Sequence, residues 1–165
     1  MFLNRILRHT LTPDWLARRA ITPAMLSRIE SAIQRSESAH RGEIRFALEG
    51  ALALAPLWHG LTPRARAIEV FSQLHVWDTE ENTGVLVYLQ LIDRDFEIVA
   101  DRGICACVPQ GQWQAIASRM ETAFRAGRFE DGVTLGLNEI TALLTQHFPA
   151  RANNPDELPN RPVVL

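Results

Sequence analysis

The chain has little cysteine, no long apolar run and no excess of basic charge. Its two cysteines, Cys105 and Cys107, stand in a C-x-C spacing. Strand positions so close together point the same way and are badly placed to bridge. No second Cys/His pair stands at zinc-site spacing. The expectation is two reduced, half-buried thiols in a reducing compartment. No stretch approaches the ~20 apolar residues of a membrane span. The start, MFLNRILRHTL, is basic and amphipathic, but Asn4, Arg5 and Arg8 interrupt it, so it does not read as a secretory signal. The formal net charge of −2 provides no overall drive toward nucleic acid. Gly-x-Ser-x-Gly, Gly-x-Gly-x-x-Gly and P-loop patterns are missing, which leaves nucleophilic serine chemistry and nucleotide cradles without local support. No organic cofactor is expected. A thiol–imidazole pair of Cys105 or Cys107 with His75 or His59 has nothing in the sequence to assemble it.

What is present fits one ordinary globular domain. With 165 residues and 47% apolar composition, the chain can bury a core without disulfides or a structural metal. At helical spacing Phe2, Leu3, Ile6 and Leu7 share a face, which predicts a terminal helix that packs on the domain or touches a membrane interface. Thr22-Pro23 and Thr62-Pro63 are helix starts, with Thr as N-cap and Pro in the first helical position. The first helix should run to about His40, and a strand with one better-buried face follows over residues 43–48. Residues 50–60 are ambiguous, because Pro56 argues against a central strand. A second helix ends near His75. Two strands, residues 84–92 and 96–100, are apolar on both faces and need cover on both sides. Helices over 112–126 and from about 131 to 148 close the domain. The last stretch, RANNPDELPNRPVVL, is polar and rich in Pro and Asn, which predicts a loose tail. The resulting fold class is α/β, a three-layer α/β/α sandwich with a small mixed sheet containing a central hairpin.

The stretch from Trp77 to Ile104 carries the chemistry. A hairpin brings its two open ends together. With Asp93-Arg94 as its turn, Asp101 falls opposite Leu86, within two residues of Gly84. The loop Asp78-Thr79-Glu80-Glu81-Asn82-Thr83 is attached at that point. Several carboxylates, an amide and two hydroxyls can converge there. Such oxygen sets suit hard cations such as calcium or magnesium. The alternative is a solvated acidic loop in which Arg102 neutralises Asp101 or Asp78. His40, His59, His75 and His147 read as caps, turn residues or partly buried rings. Trp58, Trp77 and Trp113 read as packing anchors. Arg41, Arg45, Arg64 and Arg66 read as a solvated face.

Three runs resemble a TPM domain, the family named from thylakoid lumen, photosystem repair and acetylcholine-receptor modulator proteins. They are Arg64-Ala-Arg-Ala-Ile-Glu-Val-Phe, Trp77-Asp-Thr-Glu-Glu-Asn-Thr-Gly-Val-Leu-Val-Tyr and Glu97-Ile-Val-Ala-Asp-Arg-Gly-Ile. Ser36-Glu-Ser-Ala-His-Arg-Gly-Glu-Ile-Arg, Phe129-Glu-Asp-Gly-Val and Leu143-Leu-Thr-Gln-His-Phe-Pro are similar to a soluble bacterial branch. The resemblance covers residues 22–149. It implies an N-terminal helical extension over 1–21, a TPM-like α/β domain over 22–149 and a flexible tail over 150–165.

The resemblance also implies an α/β/α sandwich and a calcium or magnesium site formed by Asp78, Asn82 and Asp101, with Glu80 or Glu81 as substitutes. Glu80-Glu81 departs from the basic or mixed residues of many bacterial relatives. Plant relatives are linked to phosphatase activity. Soluble bacterial members sit beside genes for an exported TPM protein and a LemA-type membrane protein. The expected function is therefore a binding module that takes a divalent cation at an acidic loop and contacts an envelope or membrane-associated protein. A metal-assisted phosphatase and a purely structural interaction domain without metal are the alternatives. Many relatives carry an export signal or a membrane anchor, and neither is read here. The expected location is cytoplasmic, peripheral to the inner membrane.

Overall fold

The computed structural model describes residues 2–19 and 21–165, apart from the side chains of Phe2, Asp14 and Ala17. Phe2, assigned above to the N-terminal apolar stripe, therefore lies outside the described side chains. Among the described residues four strands form one sheet: β1 (Glu43–Glu49), β2 (Gly84–Gln90), β3 (Asp95–Ala100) and β4 (Val163–Val164), in the order β3-β2-β1-β4. β1 runs parallel to both β2 and β4, and β2 pairs antiparallel with β3. The sheet is thus mixed, with the β2–β3 hairpin supplying its internal strand β2 and the edge strand β3.

Helices cover both faces, because alternate side chains of β1 and β2 have to be buried on each. Ile44, Phe46, Leu48, Val85, Val87 and Leu89 meet α3 (Pro23–Glu37), α7 (Gln110–Arg125) and α8 (Phe129–His147) in the larger core. Ala47, Leu86, Tyr88 and Val99 meet α5 (Pro63–Gln73) in a smaller one. Thr22 and Thr62 cap α3 and α5 as expected, each side chain accepting a backbone N–H at 3.1 Å. Among the ambiguous residues a short helix forms, α4 (Leu54–Trp58). The N-terminal segment forms α1 (Phe2–Leu11) and α2 (Asp14–Arg18).

The hairpin register differs by two places from the simplest reading. Gln90 pairs with Asp95, so the loop comprises the four residues 91–94. The Gln90 side chain closes it by accepting the N–H groups of Ile92 and Asp93, and Arg94 takes a left-handed φ of 57°. Asp101 consequently lies opposite Gly84, whose carbonyl accepts the Asp101 N–H at 2.9 Å. Gly84 itself is dictated by a close approach: a Cβ there would stand 1.8 Å from the Val76 carbonyl oxygen.

Several expectations are corrected. β1 has no solvated face; all seven of its residues are buried. Its polar side is covered at Glu43 and Arg45 by the C-terminal segment, which folds back rather than hanging loose, and at Glu49 by Arg66 of α5. Val163 pairs with Ala47, and Leu158 is buried in the smaller core. The supposed solvated arginines are also drawn in. Arg45 is 6% exposed, Arg66 forks onto Glu49, and Arg64 donates to the Ile98 carbonyl. Finally, Cys105 and Cys107 are not on a strand and not half-buried. Asp101 caps the single turn α6 (Arg102–Cys105), which leaves both thiols free and exposed. Of the three tryptophans expected as anchors, only Trp113 is buried; Trp58 and Trp77 are largely exposed.

Candidate metal centre

The expected site is the mouth of the hairpin. The two chain ends do meet there: Gly103 N–H donates to the Asn82 carbonyl at 3.1 Å, and Arg102 Nε donates to Asn82 Oδ1 at 2.9 Å. Asp101 Oδ1 accepts the Arg102 N–H at 2.7 Å, and its Oδ2 is buried without a hydrogen-bond partner. Among the described residues, the other acids of the loop form no group of three carboxylates with Asp101. Glu81 is held between Arg41 and Arg151. Asp78 and Glu80 are exposed, and Glu80 is fixed through its backbone N–H, which donates to Glu157 Oε2 at 2.8 Å. The structure therefore joins Asn82 to the Asp101 turn, while the side chains of Asp78, Glu80 and Glu81 do not gather on it.

Among the described residues, three acids gather at a different place. Glu37, Glu43 and Asp156 present ligand oxygens that all lie within 4.8 Å of one another. Each comes from a different element. Glu37 is the last residue of α3, Glu43 is the first of β1, and Asp156 belongs to the C-terminal segment. Glu37 curls over the short connection and accepts the Ile44 N–H through Oε1 at 2.8 Å. Glu43 Oε2 accepts the Leu158 N–H at 3.1 Å. Asn154 Nδ2 donates to the carbonyls of Glu37 and His40, and Asn160 Nδ2 donates to Asp156 Oδ2. The C-terminal segment is thereby laced across the end of α3 and the start of β1.

The electrostatics of this cluster are unbalanced. Glu37 is 8% and Glu43 2% exposed, whereas Asp156 opens to solvent. Burial, with repulsion from Glu43 and Asp156 added, pushes the Glu37 carboxyl up to about 8 against the opposing Ile44 hydrogen bond. Burial likewise pushes Glu43 up to about 7, with Asp156 and Glu157 adding to it. Arg45, on the same face of β1, is the nearby basic group. Its Nη1 donates to the Arg161 carbonyl at 3.3 Å, and its Nε is buried without a partner. Glu37 Oε2 is also buried and unpartnered. Carboxylates this close stay charged only with a cation between them; otherwise protons are retained. The donor set is all oxygen, which suits calcium or magnesium, and the exposed Asp156 provides an entry side.

Sequence reasoning passed over this cluster because Asp156 sits in a segment whose composition suggests disorder. The usable signal was Glu43, Arg45 and Glu49 alternating along a strand whose neighbour needs cover on both faces, together with the apolar close Pro-Val-Val-Leu. His40 lies alongside, fully buried. Its Nε2 is 2.8 Å from Ser36 Oγ, which meets Thr141 Oγ1 at 2.6 Å. Burial pulls the His40 imidazole down to about 4, so the ring is neutral and ties α3 to α8.

The comparisons agree with this architecture. No curated protein sequence matches the chain. The solution structure of BA42 from the psychrophilic bacterium Bizionia argentinensis superposes with a TM-score of 0.77 at 29% identity, covering 87% of this chain and 94% of BA42. The N-terminal domain of a protein from P. gingivalis shares the fold, with a TM-score of 0.59 at 20% identity over 81% of this chain and 83% of its own. The TPM domain model matches residues 17–143, most of the molecule. The chain belongs to the TPM domain family.

Proposed function

We propose that this TPM domain is a divalent-cation binding module in which Glu37, Glu43 and Asp156 hold a calcium or magnesium ion. The observation that carries the reading is Glu37 Oε2, buried and unpartnered within a group of three carboxylates. A cation there would replace the retained protons and fasten the C-terminal segment, which supplies Asp156, onto β1. Two of the three ligands are buried, which supports an ion held to organise the fold over one presented to a phosphate ester. The module would meet an envelope or membrane-associated protein, of the LemA or exported TPM kind that the family resemblance implies.

A second cation position is favoured by one observation, the buried and unpartnered Asp101 Oδ2 beside the Asn82 loop. Asp101→Asn separates the two. Thermal unfolding of chelator-treated protein, with and without millimolar calcium, tests the main reading. The rise in midpoint should survive Asp101→Asn and vanish in Asp156→Asn. Equal rises in wild type and Asp156→Asn would refute the assignment to the triad.

A further inference from the structure

The N-terminal helix is mounted with its polar side inward. His9 is 3% exposed; its Nδ1 accepts the Leu52 N–H at 3.1 Å and its Nε2 faces Asp93 Oδ1 at 3.2 Å. Arg5 Nε donates to Asp93 Oδ2 at 2.8 Å, and the Arg5 guanidinium also reaches the Leu61 carbonyl. These contacts rotate α1 so that its leucines face away from the domain. Leu3, Leu7 and Leu11, spaced four apart on one face, are 68%, 56% and 69% exposed. Trp15, in the next helix, is 67% exposed. Ordinary amphipathic helices on globular domains do the opposite and bury the apolar stripe.

From this geometry we infer that α1 is a membrane-surface contact, seating Leu3, Leu7 and Leu11 at the boundary between headgroups and acyl chains of an anionic bilayer. Charge supports that occupant. Residues 2–19 carry Arg5, Arg8, Arg18 and Arg19 against the single acid Asp14, although the whole chain has a net charge of −2. Arg8 and Arg19 are exposed. A basic helix with leucines on the outer face and tryptophan nearby has the composition of an interfacial element. No helix among the described residues is long and apolar enough to cross a membrane, so the contact is one of lying on the surface. A second copy of the chain fits less well. The helix is ~15 Å long, a narrow strip beside the ~800 Å² per partner of a standard interface. Because Asp93 belongs to the hairpin loop, the anchored helix would hold that end of the sheet toward the bilayer.

The test is flotation of the full chain with vesicles of phosphatidylcholine mixed with phosphatidylglycerol, and with phosphatidylcholine alone. The wild type should float with the anionic vesicles. L7E/L11E should lose at least tenfold in partitioning while keeping its melting midpoint, since both side chains are exposed. Glu37→Gln should float like the wild type, which keeps this inference separate from the cation reading. Absence of flotation at millimolar anionic lipid overturns it, as does equal flotation of the double variant. Concentration-dependent dimerisation abolished by L7E/L11E, without flotation, would overturn it in favour of a second copy.

Discussion

Glu43, the first residue of β1, accepts the backbone N–H of Leu158, 115 positions later, through Oε2 at 3.1 Å. This contact ties the buried acid of the strand to the segment that covers it. Leu158 is itself 7% exposed and packs into the smaller core with Val70, Phe71 and Val76. Leu158→Ala should therefore cost ~2–5 kcal/mol, the range for truncating a buried leucine. Urea denaturation checks it. A loss below half a kcal/mol would mean that the segment does not hold in solution.

The buried acids set a pH dependence with a definite sign. Glu37 and Glu43 are pushed up to about 8 and about 7 from an ordinary 4.5. Between those values the folded state binds more protons than the unfolded chain, so stability must fall as pH rises. Cation-free protein should lose several kcal/mol between roughly pH 5 and pH 8.5, at ~1.4 kcal/mol per pH unit per group. Asp95, pushed up to about 7 mainly by burial, adds a contribution of the same sign. A Glu37→Gln/Glu43→Gln variant should flatten the curve, leaving the Asp95 share and, below pH ~6.5, an opposing rise from the depressed His40 imidazole. Melting curves across this range are the check.

Asp93 should behave in the opposite sense. Burial raises its carboxyl, but the donors from His9 and Arg5 outweigh this and hold it below the usual carboxylate range. Its contribution is present above pH ~4 and is lost as pH falls through the depressed value. Asp93→Asn should cost ~1.5–3 kcal/mol, the worth of charge-assisted hydrogen bonds. The loss should be local. Hydrogen exchange should accelerate in α1 while the strands stay protected.

Gly84 allows no side chain. A Cβ would collide with the backbone of Val76, which cannot rotate away as a side chain can. Gly84→Ala should cost more than ~4 kcal/mol, the range reserved for severe packing or strain defects. Gly111→Ala, where a Cβ meets nothing within 4 Å, is the matched control and should be near neutral or stabilising. Chemical denaturation of the pair decides it.

The sandwich and the hairpin were legible because period and punctuation carry them. Thr-Pro pairs start α3 and α5, and two strands without a polar face demand helices on both sides. The position of Asp101 near Gly84 followed from hairpin geometry to within two residues. The two-place shift came from Gln90, whose side chain closes a longer loop by bonding Ile92 and Asp93. Composition failed at the C-terminus. Asn154, Asp156 and Asn160 read as solvent-loving, yet their polar groups serve buried backbone at Glu37 and His40 and the acid cluster. Polarity indicates that a segment needs hydrogen-bond partners, not that those partners are water. The same error hid the role of Glu43 and Arg45, whose alternation with Ile44 and Phe46 suggested a less buried face.

The most direct measurement is calorimetric titration of calcium into chelator-treated wild type, Asp156→Asn and Asp101→Asn at pH 8. At a hundredfold excess over the dissociation constant, an ion adds ~2.7 kcal/mol of stability, a midpoint rise of ~5–11 °C for a domain of this size. Since the ligands must be deprotonated, binding should release protons and weaken at pH 6. The account predicts binding by wild type and Asp101→Asn and none by Asp156→Asn. Binding that persists in Asp156→Asn, or that is lost in Asp101→Asn alone, would contradict it.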